Sequence, residues 1–358
     1  MCEAFARAGH EISLLVPKRK SHISDEAFAY YGMQKSFDIV YLWTVDLIHW
    51  SGWVPKVFAY LQNWSFSWSV QKYLDKNQAD LLFTRDELTA LSLPKNSEII
   101  LEIHNISRIL RVKTARLNKL TKIITITRGL KNELVRLGYS ANRIQVLPDG
   151  VDLEKFHPSL APPLKGGEPN SNSVPPPRWG RLGGGATVVY TGNLFAWKGV
   201  YVLAEAAKLL PEHEFIFVGG SPNEIEKFKT ETPAKDIQLI GHVPHHQIPG
   251  YLAQADVLVL PNSEKSAISK YYTSPLKMFE YMAAGKPIVA SDLPSIREVL
   301  RESNCILVKP DDPVALAEGI KKVLQDKELA EKISKQALAD VQQYDWSIRA
   351  KKILELAR

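Results

Sequence analysis

Cysteine is scarce in this chain. There are two in 358 residues, Cys2 and Cys305, at opposite ends. So wide a spacing suggests neither a disulfide framework nor a cysteine-built metal site. Also missing is any run of about 18 apolar residues, which excludes a helix of ordinary bilayer-spanning length. The opening MCEAFARAGHEISLL carries Glu3 and Arg7 where a secretory signal needs a basic and then an apolar region. A reducing cytoplasm is the expectation. Acidic residues are absent from RILRVKTARLNKLTK, where Arg108, Arg111, Lys113, Arg116, Lys119 and Lys122 occur together. The chain's net charge is +6, and residues 1–150 account for all of it. That basic stretch is either a solvated helix face or a surface for anionic lipid headgroups or an acidic acceptor. No motif for nucleic-acid binding accompanies it, so nucleic acid is not expected as a partner.

What the chain does have is a globular composition, 45% hydrophobic and 23% charged, and length for about two domains. Short apolar runs alternate with helical patterns. The first set is EISLLV, DIVYLW, DLLFT, EIILEI and KIITIT; the second is ATVVYTG, EFIFVG, DIQLIG, DVLVLP, PIVAS and CILVK. This rhythm predicts βαβ units and two parallel sheets. Between the sets, residues 158–185 contain 7 prolines and 6 glycines in 28 positions, a composition without core-forming capacity. The expected organisation is a first domain over 1–157, a linker or insertion over 158–185, a second domain over 186–342, and a terminal helix over 343–358 that returns to the first domain.

Doubly wound domains bind ligands where loops leave the carboxyl ends of strands. In SPLKMFEYMAAGKPIVASD, Ser274 is expected as N-cap, with Pro275 and Leu276 opening a helix that Gly285 and Pro287 stop. Lys277 and Glu280 fall on one face of it. One reading is an i,i+3 ion pair on an exposed helix. The other is a ligand site: the helix terminus and Lys277 hold an anion, and Glu280 accepts hydrogen bonds from a vicinal diol. TGNLFAWKG places Gly192, Asn193 and Lys198 at a strand-to-helix turn, and FVGGSPNE ends a strand on Gly219 and Gly220, where backbone can approach a ligand. In EIILEIHNISR the strand end exposes Glu102 or His104; the histidine either meets a sugar or is a structural residue bonded to backbone.

Taken together these segments resemble glycosyltransferase family 4, in an SPLK-type variant. RAGHEISLLVP, LEIHNIS, RIQVLPDGVDLEKFHP, VVYTGNLFAWKGVYVLAEAAKLL and SPLKMFEYMAAGKPIVASDLPSIREVL carry the resemblance. It implies the GT-B fold, two Rossmann-like α/β domains with parallel sheets facing a cleft, and a retaining, metal-independent glycosyltransferase. The donor would be a UDP- or GDP-sugar, used as a substrate, with no cofactor, and the acceptor a polysaccharide, glycolipid or other lipid-linked saccharide. By resemblance Lys198 would neutralise the diphosphate and Glu280 would hold the ribose. The segment Ser274 to Lys277 would offer the helix terminus, and backbone near Gly219 and over Gly241, His242 and Val243 would read the base. His104 would sit near the transferred sugar. Tyr272 stands where the family often has the first of two glutamates eight apart, and Asn193 where many members carry arginine, which implies an altered donor grip. A first strand and glycine-rich turn have no counterpart ahead of MCEAFARAGHE, so an unpaired sheet edge and weak stability or activity are expected. A catalytically silent sugar-nucleotide-binding subunit and a sugar-nucleotide epimerase of similar fold are the alternatives.

Five of the eight tryptophans lie between residues 43 and 68. Trp53, Val57, Tyr60, Leu61, Trp64 and Trp68 share a helical spacing. Burial of that face against the sheet is one expectation. The other is an interfacial helix that brings the chain to the inner face of an anionic membrane.

Overall fold

The structure, a computed structural model, describes residues 1–19, 27–31, 33–46, 55–94, 97–156, 185–232 and 237–357. The expected linker lies outside the described residues apart from Gly185, as do Trp53 and the side chain of Val57. The chain forms two compact units, one of Met1–Pro148 with Trp346–Arg358 and the other of Asp149–Asp345.

In the first unit the strands are β1 (Ser13–Pro17), β2 (Asp38–Leu42), β3 (Leu81–Thr84), β4 (Glu98–Ile103), β5 (Lys122–Thr125) and β6 (Ile144–Val146). All pair in parallel, but in two sheets, β1-β2 and β3-β4-β5-β6. Among the described residues β1 therefore pairs only with β2, and β3 only with β4. The short β6 strand has three residues and no marked apolar run, and sequence patterning did not show it. β4 is buried from Ile99 to Ile103, the continuous apolar reading expected of a strand covered on both faces. The terminal helix Trp346–Ala357 packs here through Ala350 and Ile353, against Ala4, Phe5, Ile100, Ile124 and Leu147.

In the second unit the strands are β7 (Thr187–Thr191), β8 (Glu214–Val218), β9 (Ile237–Gly241), β10 (Val257–Leu260), β11 (Ile288–Ser291) and β12 (Ile306–Val308). They form one parallel sheet in the order β12-β11-β10-β7-β8-β9. Residues alternate between two apolar layers with the period of two that strands impose. Val188, Tyr190, Phe215, Phe217, Val257 and Val259 enter one cluster; Val189, Ile216, Val218, Leu258 and Leu260 enter the other. The chain leaves β7 toward β8 and β9, then returns to place β10 on the opposite side of β7. In open α/β sheets such a reversal is where ligands bind, here at the carboxyl ends of β7 and β10. Residues 149–156, expected in the first domain, belong to this unit because Val151 and Phe156 pack in its core.

Candidate functional site

Three strands of the second unit end on glycine. Gly192 follows β7, Gly219 follows β8, and Gly241 ends β9. The Gly192 N–H donates to Val218 O at 2.8 Å and the Gly219 N–H to Gly241 O at 2.7 Å, so the ladder continues into the rim. At Gly219 (φ 121°) a Cβ would lie 2.6 Å from the Gly192 carbonyl oxygen, which only glycine avoids. Gly220 follows with φ 88° and sits over Leu194.

Beyond Gly192, the exposed Asn193 turns its carbonyl toward the Tyr190 hydroxyl, which donates to it at 2.8 Å. A single 3-10 turn, Ala196–Lys198, then carries Lys198 to the start of the helix Val200–Lys208. Gly199, at φ 74°, makes this possible: a Cβ there would overlap the Pro261 carbonyl oxygen at 1.7 Å. The Ser263 N–H donates to Trp197 O at 3.0 Å. The turn after β7 is thus fixed backbone to backbone against the loop after β10. Lys198 is half-buried, and burial lowers its ammonium from the ordinary lysine value while Glu224 opposes the shift.

The loop after β10 contains a π-helical turn, Ile268–Tyr272, that holds Tyr272, and leads into the helix Leu276–Ala283. Here one expectation is corrected. The N-cap is Pro275, without a side-chain cap, because the buried Ser274 hydroxyl instead accepts the Asp149 N–H at 3.0 Å. The neighbouring helix Pro222–Glu231 contrasts with it: Ser221 and Glu224 close a capping box, and Glu224 also accepts the Leu194 N–H at 3.4 Å. Of the two termini, the one at Leu276 has no side chain answering its amides.

Lys277 is buried, and among the described residues its Nζ has no hydrogen-bond partner. The ammonium lies 3.7 Å from the centroid of the Tyr190 ring, and a Cβ on Gly192 would be 3.0 Å from it. Burial, then the nearby Lys198 charge, push Lys277 well below its ordinary value, with Glu280 opposing. Glu280, one turn further on, is also buried, but its Oε1 is bonded to His245 Nε2 at 2.8 Å. The i,i+3 ion pair between Lys277 and Glu280 does not form. His245 titrates above its ordinary value, chiefly through the Glu280 hydrogen bond, with burial opposing. Its ring also meets Phe156, centroids 5.6 Å apart. Val243 packs partly into the core and His242 is exposed.

The second unit therefore brings together Gly192, Lys198, Lys277 and the open helix terminus at Leu276, with Glu280 one turn beyond. Gly219 adjoins Gly192 on the rim, and Gly241 adjoins Gly219. Two lysine amines, one without a hydrogen-bond partner among the described residues, beside helix-terminal amides that no side chain caps and bare backbone can hold a doubly charged oxyanion. Two partners were not foreseen from sequence. His245 was overlooked although GHVPHHQ, with its three histidines, follows a strand end. Tyr190, which underlies the Lys277 ammonium, reads simply as a core residue of β7.

His104 belongs to the first unit, at the end of β4. Its Nε2 meets Glu102 Oε1 at 2.7 Å, so it is bonded to a carboxylate and not to backbone. Of the two residues expected at the exposed strand end, His104 is the partly exposed one and Glu102 is fully buried. Arg349 reaches Oε2 at 2.6 Å and Arg85 reaches Oε1 at 2.8 Å. Burial by itself would raise this carboxyl, but the His104 hydrogen bond and the charges of Arg349 and Arg85 bring it down to about 2.

Two units of parallel-sheet α/β architecture, one with a glycine- and lysine-lined rim at its switch point, define the GT-B class. The chain belongs to glycosyltransferase family 4: the Glycosyltransferase Family 4 model matches residues 1–155 and the Glycosyl transferases group 1 model residues 185–326. A putative teichuronic acid biosynthesis glycosyltransferase of Bacillus subtilis is 28% identical over 200 residues, 55% of this chain and 45% of that protein. The chain spans about half the length of the curated relatives it matches. Among solved structures, sucrose-phosphate synthase from Thermosynechococcus elongatus superposes with a TM-score of 0.76 at 21% identity, covering 99% of this chain and 90% of that one. Anabaena HepE, in complex with UDP and glucose, gives 0.71 at 17% identity, covering 99% and 94%.

Proposed function

We propose that this chain is a retaining glycosyltransferase that moves a sugar from a nucleoside-diphosphate sugar to a saccharide or lipid-linked acceptor. The observation that carries this reading is the buried Lys277 ammonium, which among the described residues has no hydrogen-bond partner, facing Gly192 beside Lys198. An uncompensated buried cation costs stability, so it is retained where a ligand completes it. A diphosphate supplies the missing partner. Lys198, Lys277 and the amides at Leu276 hold its oxygens, and the charge that grows on the departing diphosphate falls on groups already oriented to receive it. Such fixed cations supply the charge that a divalent ion otherwise brings, so the reaction is expected to run without metal. Glu280 receives the ribose hydroxyls on its remaining oxygen, since His245 occupies the other. Backbone at Gly219 and over Gly241 to Val243 faces the base. The carbonyl of Asn193 already takes the Tyr190 hydroxyl, which leaves its side chain for the ligand. We assign His104, held by Glu102, to the transferred sugar. UDP is preferred over GDP in this reading because the structural relative from Anabaena binds UDP.

Thermal-shift titration with UDP, GDP and UDP-glucose tests the proposal, since a ligand that binds only the folded state raises the melting temperature according to its affinity. A shift with UDP and UDP-glucose that disappears in Glu280→Ala supports it. No shift with any nucleotide, or an undiminished shift in that variant, overturns the site assignment. Release of UDP on adding an acceptor distinguishes a transferase from a silent binding subunit.

A further inference from the structure

The helix Pro55–Leu74 faces the wrong way for an ordinary amphipathic helix. Its buried side is largely polar: Gln62, Ser65, Ser67 and Ser69 are buried, with Val70 beside them. Ser65 Oγ accepts the Val45 N–H at 2.9 Å, Ser69 donates to Trp43 O at 2.7 Å, and Ser67 meets Thr89 at 3.2 Å. The outer side carries Tyr60, Leu61, Trp64 and Trp68, with Trp64 69% exposed. Trp43, 59% exposed, stands edge-on to Trp68 with centroids 6.3 Å apart. From Tyr60 to Trp68 this stripe runs about 12 Å along the helix. Burial against the sheet, one of the two expectations for these aromatics, is therefore not what the structure shows. A contiguous exposed aromatic face of this kind marks an interaction surface.

Charge indicates what covers it. Lys72 lies over the Trp68 ring, 3.6 Å from its centroid, and Lys72 and Lys76 flank a hollow of about 360 Å³ between Trp43 and Trp68. Asp75 is the acid at that end. The basic stretch adjoins the same helix through a shared neighbour. Gln71 donates to Ser92 O, and Arg116 donates to the adjacent Leu91 O at 2.9 Å. Arg108, Arg111, Lys113, Arg116 and Lys119 are all exposed, as is Val112. Among the described residues Arg111 is the one of these that approaches an acid, Glu133 at 3.7 Å. Aromatic rings with an apolar body and a polar edge, bordered by cations, suit the headgroup layer of an anionic bilayer.

We infer that the first unit docks on an anionic lipid surface through Trp43, Tyr60, Leu61, Trp64 and Trp68, with Lys72 and the Arg108–Lys119 stretch at its border. This inference does not depend on the donor site, because docking is read without nucleotide. The test is co-flotation of the full chain with vesicles of phosphatidylcholine alone or with one third phosphatidylglycerol, at low and physiological salt. Flotation is expected only with the anionic vesicles, weakened by salt, and lowered about tenfold or more in Trp64→Ala/Trp68→Ala, as loss of two inserted rings requires. Lys72→Glu/Lys76→Glu keeps the aromatics and is expected to lose much of the salt-sensitive part. Unchanged melting temperatures show that both variants remain folded. Absence of flotation at low salt, equal flotation of parent and tryptophan variant, or release by a soluble oligosaccharide overturns the inference. The last result would assign the surface to sugar.

Discussion

At the scale of the residue, Lys277 does most to define the site and is least comfortable in it. Replacing it by methionine removes a buried charge that has no hydrogen-bond partner among the described residues and keeps the shape. Lys277→Met should therefore stabilise the ligand-free protein by about 1–3 kcal/mol, a few degrees in melting temperature. It should also weaken nucleotide binding about tenfold or more, one charge-assisted contact being lost. The pH dependence has a definite sign. The folded-state value lies below that of the unfolded chain, so between the two the unfolded chain holds more protons and stability rises with pH. The advantage of methionine over lysine should then shrink as pH climbs toward the ordinary lysine value of about 10.4. Differential scanning across that range checks it, and a constant gap would contradict the burial argument. His245 runs the opposite way. Its value is raised, so the bond to Glu280 stabilises most below the ordinary histidine value of about 6.5 and is lost as pH rises through the folded-state value. His245→Ala should flatten the pH dependence of donor KM above the ordinary histidine value and raise KM below it.

At the scale of the element, the strands other than β6 were legible because each of them is a short apolar run, and such runs need no partner information to be recognised; β6, Ile144–Val146, has a glutamine between two apolar residues and no such run. The helix Leu276–Ala283 was legible from its stops, Gly285 and Pro287, though not from its start. Ser274 looks like a cap from sequence and is diverted by Asp149, 125 residues earlier in the chain. Periodicity also identified one face of Pro55–Leu74 without saying which way that face points. Ser65 and Ser69 settle this by bonding to backbone at Val45 and Trp43, groups that no local pattern names. The turn after β7 offers a sharper test of element geometry. Gly199→Ala forces a Cβ into the Pro261 carbonyl at a positive φ, where L-residues are strained by about 1–3 kcal/mol before any clash is counted. It should lower the melting temperature of the second unit by several degrees and move Lys198 away from Lys277. Nucleotide affinity should fall even at temperatures where the variant is folded. Retained affinity would mean that the turn does not position Lys198.

At the scale of the whole molecule, the chain closes on itself. The helix Trp346–Ala357 follows the second unit in sequence but belongs to the first, where Arg349 neutralises Glu102 and donates to Pro148 O at 2.7 Å and Leu147 O at 3.2 Å. Sequence reading placed the returning helix but not this ion pair, whose members are 247 positions apart. The shift of Glu102 from 4.5 to about 2 is worth on the order of 3 kcal/mol, present above the unfolded value and lost as pH falls from there toward 2. Arg349→Met leaves a buried carboxylate near the end of β4 without its closest cation, a change that costs about 3–5 kcal/mol when a buried pair is broken on one side. The damage should be confined. Thermal unfolding of Arg349→Met followed with and without UDP is expected to show an early transition that nucleotide does not shift, from the first unit. A later transition, from the second unit, should still move with ligand. The double variant Arg349→Met/Glu102→Gln should recover part of the loss, because the uncompensated charge is gone. A single transition lowered as a whole, or no recovery in the double variant, would show that the terminal helix stabilises the molecule by packing and not through this buried pair.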